Sequence, residues 1–283
     1  MEAEEKQITR ITGENKLFDF NFREIWEYRD LAMLLVRRTF VAQYKQTILG
    51  PAWAVIQPLL TTVVFTLVFG NLAGLSTDGI PPFLFYMCGN ILWSYFSAAF
   101  SANSTTFISN APILGKVYFP RLVMPISVTI TQLISFVIQF VMFLIFLGFY
   151  MIQGTTEITP NAAVLLTPVF LLQLAMLALG CGIIISSITV KYRDLALVVS
   201  FMVQLWMYAC PITYSVQYIP ERFMFLYMLN PVSPVITNFR YAFLGTDQFQ
   251  LSYFILGWVV TLILFIIGVT MFNRVEKTFM DMV

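Results

Sequence analysis

The sequence predicts an all-α integral membrane protein, and three observations lead to that fold class. The chain is 59% hydrophobic and only 11% charged, with a mean hydropathy of +0.80, whereas soluble domains contain about 25% charged residues. Long stretches lack Asp, Glu, Lys and Arg, and the basic residues between them are distributed very unevenly. A water-facing surface of ordinary polarity cannot be built from this composition.

Six charge-free stretches are each long enough to cross a membrane. A helix of about 20 residues spans a hydrocarbon core about 30 Å thick. The sequence therefore predicts a transmembrane region over 50–275 with six spanning helices, at 52–70, 83–105, 123–150, 162–188, 196–215 and 251–272.

A further uncharged run, from Phe223 to Phe239, differs from these six because Asn230-Pro231 and Pro234 interrupt it. A helix exposed to lipid cannot leave the backbone groups at such a break unpaired. We therefore predict a re-entrant helical hairpin over 218–245, between the fifth and sixth spans. With six crossings, both chain termini lie on one side of the membrane.

The basic residues predict which side that is. Of the 16 Lys and Arg residues, only Arg222 and Arg240 fall on the side opposite the termini. Cytoplasmic segments carry an excess of Lys and Arg. The N-terminal segment 1–29 and the tail 276–283 are therefore predicted to be cytoplasmic.

Residues 30–49 form a distinct segment before the first span. They combine apolar and cationic faces at helical spacing, a pattern typical of helices that lie along the membrane interface. Gly50-Pro51 then gives a break, with Pro51 well placed in the first turn of the next helix. We predict an N-terminal amphipathic interface helix over 30–49.

Several kinds of enzyme chemistry are excluded by residue content. Histidine is absent, which excludes histidine-based catalysis and histidine metal ligands. The three cysteines are widely spaced within apolar runs, which indicates neither a disulfide framework nor a zinc site. The only Gly-Lys pair is Gly115-Lys116, and Asn110 stands where a phosphate-binding loop needs its first glycine. We predict no catalytic, cofactor or metal site in this chain.

Two stripes of uncharged polar residues remain. Asn90, Ser94, Ser97 and Ser101 recur at spacings of four and three along the second span, and Gln132 and Gln139 lie on one face of the third. These six residues are candidates for lining a hydrated path. The alternative is that they join helices, because polar residues also gather at helix contacts in membranes.

An ordered set of segments carries a resemblance to a known family. In chain order they are Arg29–Leu31 (RDL), Tyr44–Trp53 (YKQTILGPAW), Gln57–Leu59 (QPL), Gly89–Trp93 (GNILW), Asn110–Arg121 (NAPILGKVYFPR), Tyr192–Leu195 (YRDL), Pro211–Ser215 (PITYS), Ile219-Pro220 and Asn230-Pro231. With this topology, the chain resembles the permease subunit of bacterial type-2 ABC exporters, in the branch that exports O-antigen, teichoic acid and capsule polysaccharides.

The resemblance implies a homodimer in the bacterial cytoplasmic (inner) membrane, paired with two copies of a separate ATPase that binds ATP and Mg. It implies a channel between the two permease copies and a polysaccharide cargo linked to polyprenyl diphosphate, with no nucleic-acid partner. Contacts with the ATPase map onto the interface helix and two cytoplasmic turns. The residues concerned are Arg37, Arg38, Lys45, Pro112, Lys116, Arg121, Tyr192, Arg193 and Asp194.

Two other functions stay open at this point. A permease of the same fold could export drugs or other small molecules, since fold alone is a weak guide to substrate. A membrane-embedded transferase would need a cluster of acidic or nucleophilic residues at one membrane face, and the sequence contains no such cluster.

Overall fold

The computed structural model describes residues 22–114, 119–154, 158–189, 192, 194–246 and 248–279, and throughout these ranges the regular secondary structure is helical. The helices are α1 (Phe22–Glu27), α2 (Arg29–Tyr44), α3 (Trp53–Phe65, continued as a π-helix over Thr66–Leu72), α4 (Pro82–Ser104), α5 (Thr106–Leu114), α6 (Val123–Gln153), α7 (Thr167–Thr189), α8 (Leu195–Tyr208), α9 (Glu221–Met228), α10 (Val232–Leu244) and α11 (Leu251–Phe279).

Five helical segments among the described residues are long and apolar enough to cross a membrane. They are Gly50–Leu72, Pro82–Ser104, Val123–Gln153, Ala162–Thr189 and Leu251–Arg274. Each overlaps one of the predicted spans, so the prediction of a multi-span, all-helical membrane protein is confirmed.

The remaining predicted span, 196–215, is only partly helical. Helix α8 has 14 residues, which corresponds to a length of about 21 Å at 1.5 Å per residue. The chain then runs from Ala209 to Ser215 without a regular helix. Pro211 gives the reason, because it has no backbone N–H and disfavours helical geometry at Cys210 before it.

One end of the bundle gathers the two ends of the described chain, and we call it the terminal end. Phe107 of α5 stacks on Phe272 of α11 with ring centroids 4.5 Å apart. Leu35 of α2 belongs to the same buried cluster. The Thr189 hydroxyl, at the last residue of α7, donates to the Ser104 carbonyl, at the last residue of α4, over 3.1 Å.

The opposite end gathers the connecting loops, and we call it the hairpin end. The backbone N–H of Ser76 donates to the Tyr218 hydroxyl over 2.9 Å. The Asn161 side chain donates to the Tyr241 carbonyl over 2.8 Å, and its backbone N–H donates to the Ala242 carbonyl over 3.0 Å. The loop before α4, the loop before α7 and the last turn of α10 therefore meet here.

Helices α9 and α10 form a hairpin whose turn lies among the long helices. The turn residue Asn230 accepts a hydrogen bond from the Trp206 indole over 3.1 Å. Pro234, in the first turn of α10, lies beside Gly257, where an added Cβ would come 3.1 Å from its Cγ. Gly257 is six residues into α11, about 9 Å along that helix. The turn therefore lies inward from the hairpin end, beside α11 about 9 Å along that helix.

Helix α6 is the longest described helix and carries α2 against its first half. Its 31 residues give a length of about 46 Å, more than a hydrocarbon core of about 30 Å requires. Leu35 and Val36 of α2 are buried, and the Tyr44 hydroxyl lies 3.3 Å from the Ser135 hydroxyl of α6. The observed α2 ends at Tyr44, five residues before the predicted boundary.

Candidate transport path and coupling surface

A polar cavity of about 370 Å³ lies between α3, α4 and α6. Three of the candidate residues line it from α4, namely Ser94, Ser97 and Ser101, and two from α6, namely Gln132 and Gln139. The spacing explains this convergence, because residues three and four apart share a helix face and the two helices pack against each other. The two predicted stripes therefore face one common space. We call this space the polar cavity.

Sequence reasoning missed several other residues that line the polar cavity. Gln57 and Thr61 contribute from α3, and Tyr44 and Gln43 contribute from the end of α2. Gln57 and Thr61 are four residues apart on a mostly apolar helix, a spacing that sequence reasoning could have used. The residues from α2 could not be found in this way, because only tertiary packing brings that helix to α6.

Asn90 does not line the cavity. It is 2% exposed, and its side-chain amide donates to the Pro58 carbonyl over 3.2 Å and lies 3.4 Å from the Thr62 hydroxyl. Asn103 makes a similar contact near the terminal end, where it donates to the Thr129 hydroxyl over 2.8 Å. The polar stripe of α4 thus joins helices at Asn90, and its other three residues border the cavity.

Among the described residues, the cavity lining contains hydroxyls, carboxamides and aromatic rings, and no Asp, Glu, Lys or Arg. The Gln139 Oε1 atom is buried and has no hydrogen-bond partner among the described residues. Hydroxyls and carboxamides both donate and accept hydrogen bonds, so this lining suits neutral polar groups. No group of His, Cys, Asp or Glu side chains that could hold a metal ion occurs in the described part of the chain.

A second cavity of about 380 Å³ lies at the hairpin end. Its lining among the described residues is also uncharged, and sequence reasoning gave no hint of it because its residues come from four separate segments. They are Val216, Gln217, Met224, Thr237, Gln248 and Gln250.

The candidate coupling residues fall at different places. Arg37, Arg38 and Lys45 are exposed on or directly after α2. Arg121 is only 9% exposed, close to the buried cluster at the terminal end.

In the two turns, Tyr192 and Asp194 are exposed. Pro112 belongs to α5, so this part of the predicted turn is helical. Lys116 and Arg193 lie outside the described residues.

Comparison with known proteins gives consistent matches. The family model described as "ABC-2 type transporter" matches residues 31–244. The O-antigen export system permease protein RfbA of Klebsiella pneumoniae is 27% identical over 254 residues, covering 89% of this chain and 94% of that protein. The protein of the same name from Myxococcus xanthus is 32% identical over 224 residues, covering 78% of this chain and 83% of that protein.

Proposed function

This chain belongs to the ABC-2 type transporter family, and we propose that it is the permease of an ATP-driven exporter of a cell-surface polysaccharide. The cargo would be an O-antigen-like glycan linked to polyprenyl diphosphate. The polar cavity carries this proposal, because its lining offers hydrogen bonds to sugar hydroxyls and contains no charge that would hold them. The names of the two relatives favour this cargo over a drug or another small molecule.

The proposed topology has six crossings in the bacterial inner membrane, with both termini cytoplasmic. Contacts along α4 support the fifth crossing. Thr189, at the end of α7, donates to the Ser104 carbonyl at the last residue of α4. Further along the chain, the Trp206 ring of α8 lies 5.1 Å from the Phe96 ring of α4. An added Cβ at Gly89 would come 3.3 Å from the Ile212 Cα.

As the chain runs from Thr189 to Tyr218, its contacts with α4 lie progressively closer to the hairpin end, where Tyr218 contacts Ser76. Helix α8 and the segment Ala209–Ser215 would together cross the membrane. The α9–α10 hairpin would then enter from the opposite face and return to it, as the sequence predicts.

Energy for export would come from a separate ATPase, present in two copies and binding ATP and Mg. Exposed Arg37 and Arg38 of α2, together with Tyr192 and Asp194, give a surface at the terminal end for this partner.

A second copy of the chain would close the path. Helices α3 and α8 both present apolar side chains outward, among them Leu60, Val64, Phe201 and Met202. These faces would border the second copy or lipid, with the polar cavity opening towards the space between copies.

A gene deletion tests the proposal. The gene for this chain is removed from a strain that makes surface polysaccharide. We expect loss of the surface polymer and accumulation of lipid-linked polymer inside the cell, with both reversed by the wild-type chain. In a reconstituted complex with the ATPase, lipid-linked glycan should stimulate ATP hydrolysis. Normal surface polymer in the deletion strain would contradict the proposed cargo.

A further inference from the structure

The segment Ala209–Ser215, between α8 and α9, is not helical, and after the exposed Ala209 most of its residues are buried. Cys210, Ile212 and Ser215 are fully buried, and the segment packs beside Gly89 in the middle of α4. Backbone carbonyls at membrane depth require donors, because no water is available there. The carbonyls of this segment must therefore find donors on neighbouring elements.

The α9–α10 hairpin supplies them. The Asn230 side-chain amide donates to the Ala209 carbonyl over 3.1 Å. Arg240 of α10 donates through Nη2 to the Ile212 carbonyl over 2.7 Å and contacts the Tyr214 carbonyl through Nη1 at 3.4 Å. Two side chains of the hairpin thus replace the backbone hydrogen bonds that a continuous helix would have made.

Arg240 is held on its other sides as well. It has no exposed surface, and its guanidinium carbon lies 3.7 Å from the centre of the Phe85 ring, a close cation–π contact. Gly89 makes this arrangement possible, because an added Cβ would come 3.0 Å from Nη2. An arginine keeps its charge at all relevant pH values, so this contact cannot be released by deprotonation.

The first half of helix α8, by contrast, has few buried side chains within one copy of the chain. Leu197 is 79% exposed and Phe201 is 61% exposed, and Val199 is its only buried residue. Its first turn follows Asp194 at the terminal end, and its last turn leads into the buried segment. The helix therefore connects an exposed turn to a firmly bound one.

We propose that Arg240 is a positioning residue for export, which fixes the segment Ala209–Ser215 as the pivot of α8. Force applied by the ATPase at Tyr192 and Asp194 swings the terminal-end part of α8 about this pivot. Val203 of α8 lines the polar cavity, so the swing changes the width of the cavity. This inference rests on the proposed function for the source of the force, and not on the identity of the cargo.

The first experiment measures the movement in the purified complex with its ATPase. Leu197→Cys and Tyr208→Cys are introduced one at a time in a Cys181→Ser background, which keeps only the buried Cys88 and Cys210. Each variant is alkylated without nucleotide and after trapping with Mg-ATP and vanadate. We expect the alkylation rate to change severalfold at position 197 and to stay nearly constant at position 208. Equal changes at both positions, or no change at position 197, would overturn the pivot.

The second experiment removes the anchor. Arg240→Met leaves two buried carbonyls without their donor, and we expect export to fall about tenfold or more while ATP hydrolysis continues. The alkylation rate at position 208 should now depend on nucleotide, which a general loss of packing would not produce. Arg240→Lys should restore part of the export, because one ammonium can reach only part of the same acceptors.

Arg222→Met is the matched control. Arg222 is an exposed arginine of α9 whose guanidinium lies 4.6 Å from the centre of the Phe223 ring, so its loss should leave export and alkylation unchanged. Wild-type export by Arg240→Met would overturn the role of Arg240. If Arg240→Met does not assemble, the wild-type alkylation pattern and Arg240→Lys still decide the matter. Since alkylation requires no glycan, a wrong cargo would be detected only by the deletion experiment.

Discussion

The polar cavity and the α9–α10 hairpin both contain polar side chains inside the bundle, but the hydrogen bonding of those side chains differs. In the hairpin, Asn230 and Arg240 donate to defined carbonyls, whereas the buried Asn238 side chain has no hydrogen-bond partner among the described residues. In the cavity, Ser94 and Ser101 face open space, and Gln139 Oε1 has no partner among the described residues. Polar groups with fixed partners hold the fold together, whereas those that border the polar cavity would be available to the proposed cargo.

The largest stability effect should come from the hairpin core. Phe239 is fully buried, and its ring lies 4.5 Å from that of Phe243 and 6.1 Å from that of Phe143. We expect Phe239→Ala to destabilise the permease by about 3–5 kcal/mol, because a large cavity remains. Phe201→Ala on α8 is the control and should have little effect. Thermal unfolding in detergent measures the stability of both variants. Equal losses of stability would mean that the buried Phe239 contributes no more to packing than an exposed phenylalanine.

The sequence carried enough information for the helical class and for five apolar spans of the six that it predicts, because long uncharged runs have few alternatives. It also predicted a break at Asn230-Pro231, since proline leaves a recognisable mark on backbone pairing. It did not give the early end of α8 at Tyr208, although Pro211 offered a local signal. Charge counting placed Arg240 on the side opposite the termini, within the predicted hairpin, and gave no indication that it is buried. Only the packing of α10 against α4 reveals that it is buried, and one sequence contains no information about that packing.

The candidate site was predicted in part for a similar reason. Helical spacing identified Ser94, Ser97 and Ser101 as one face, but it could not tell a face that borders a cavity from one that contacts a helix. Asn90 has the same spacing and lies against α3 instead. The distinction depends on which neighbour stands opposite each turn, and that is set by long-range packing.

A substitution at Gly89 should weaken the hairpin contact without touching the hairpin itself. An added Cβ would come 3.0 Å from Arg240 Nη2 and 3.3 Å from the Ile212 Cα, so a branched side chain cannot fit without displacing one of them. We expect Gly89→Val to destabilise the permease by about 1–3 kcal/mol through overpacking and to reduce export. Gly148→Val is the control, because an added Cβ there meets no atom within 4 Å. A fully stable and active Gly89→Val permease would contradict the described contact.

Within α4, Asn90 is a polar residue with fixed partners and Ser97 is one that borders the polar cavity, so the two can be compared directly. Asn90→Ala removes a buried donor to the Pro58 carbonyl, and we expect a loss of stability of about 1–2 kcal/mol with export reduced in proportion. Thermal unfolding and surface polymer are measured on the same samples. An unchanged stability in this variant would mean that Asn90 does not join α3 and α4.

The smallest stability effect should come from Ser97, which distinguishes a lining role from a packing role most directly. Its hydroxyl bonds only to the Ser94 carbonyl of its own helix, at 3.3 Å, so Ser97→Ala should change stability by less than about 0.5 kcal/mol. Ser97→Cys should fold equally well, react with a water-soluble thiol reagent in the assembled exporter and lose export once modified. Val137→Cys, on the exposed apolar face of α6, is the control, because a position facing lipid offers no water to ionise the thiol. If Ser97→Cys stays unreactive during active export, the middle of the α4 stripe is a packing surface, and the contrast between cavity and hairpin fails.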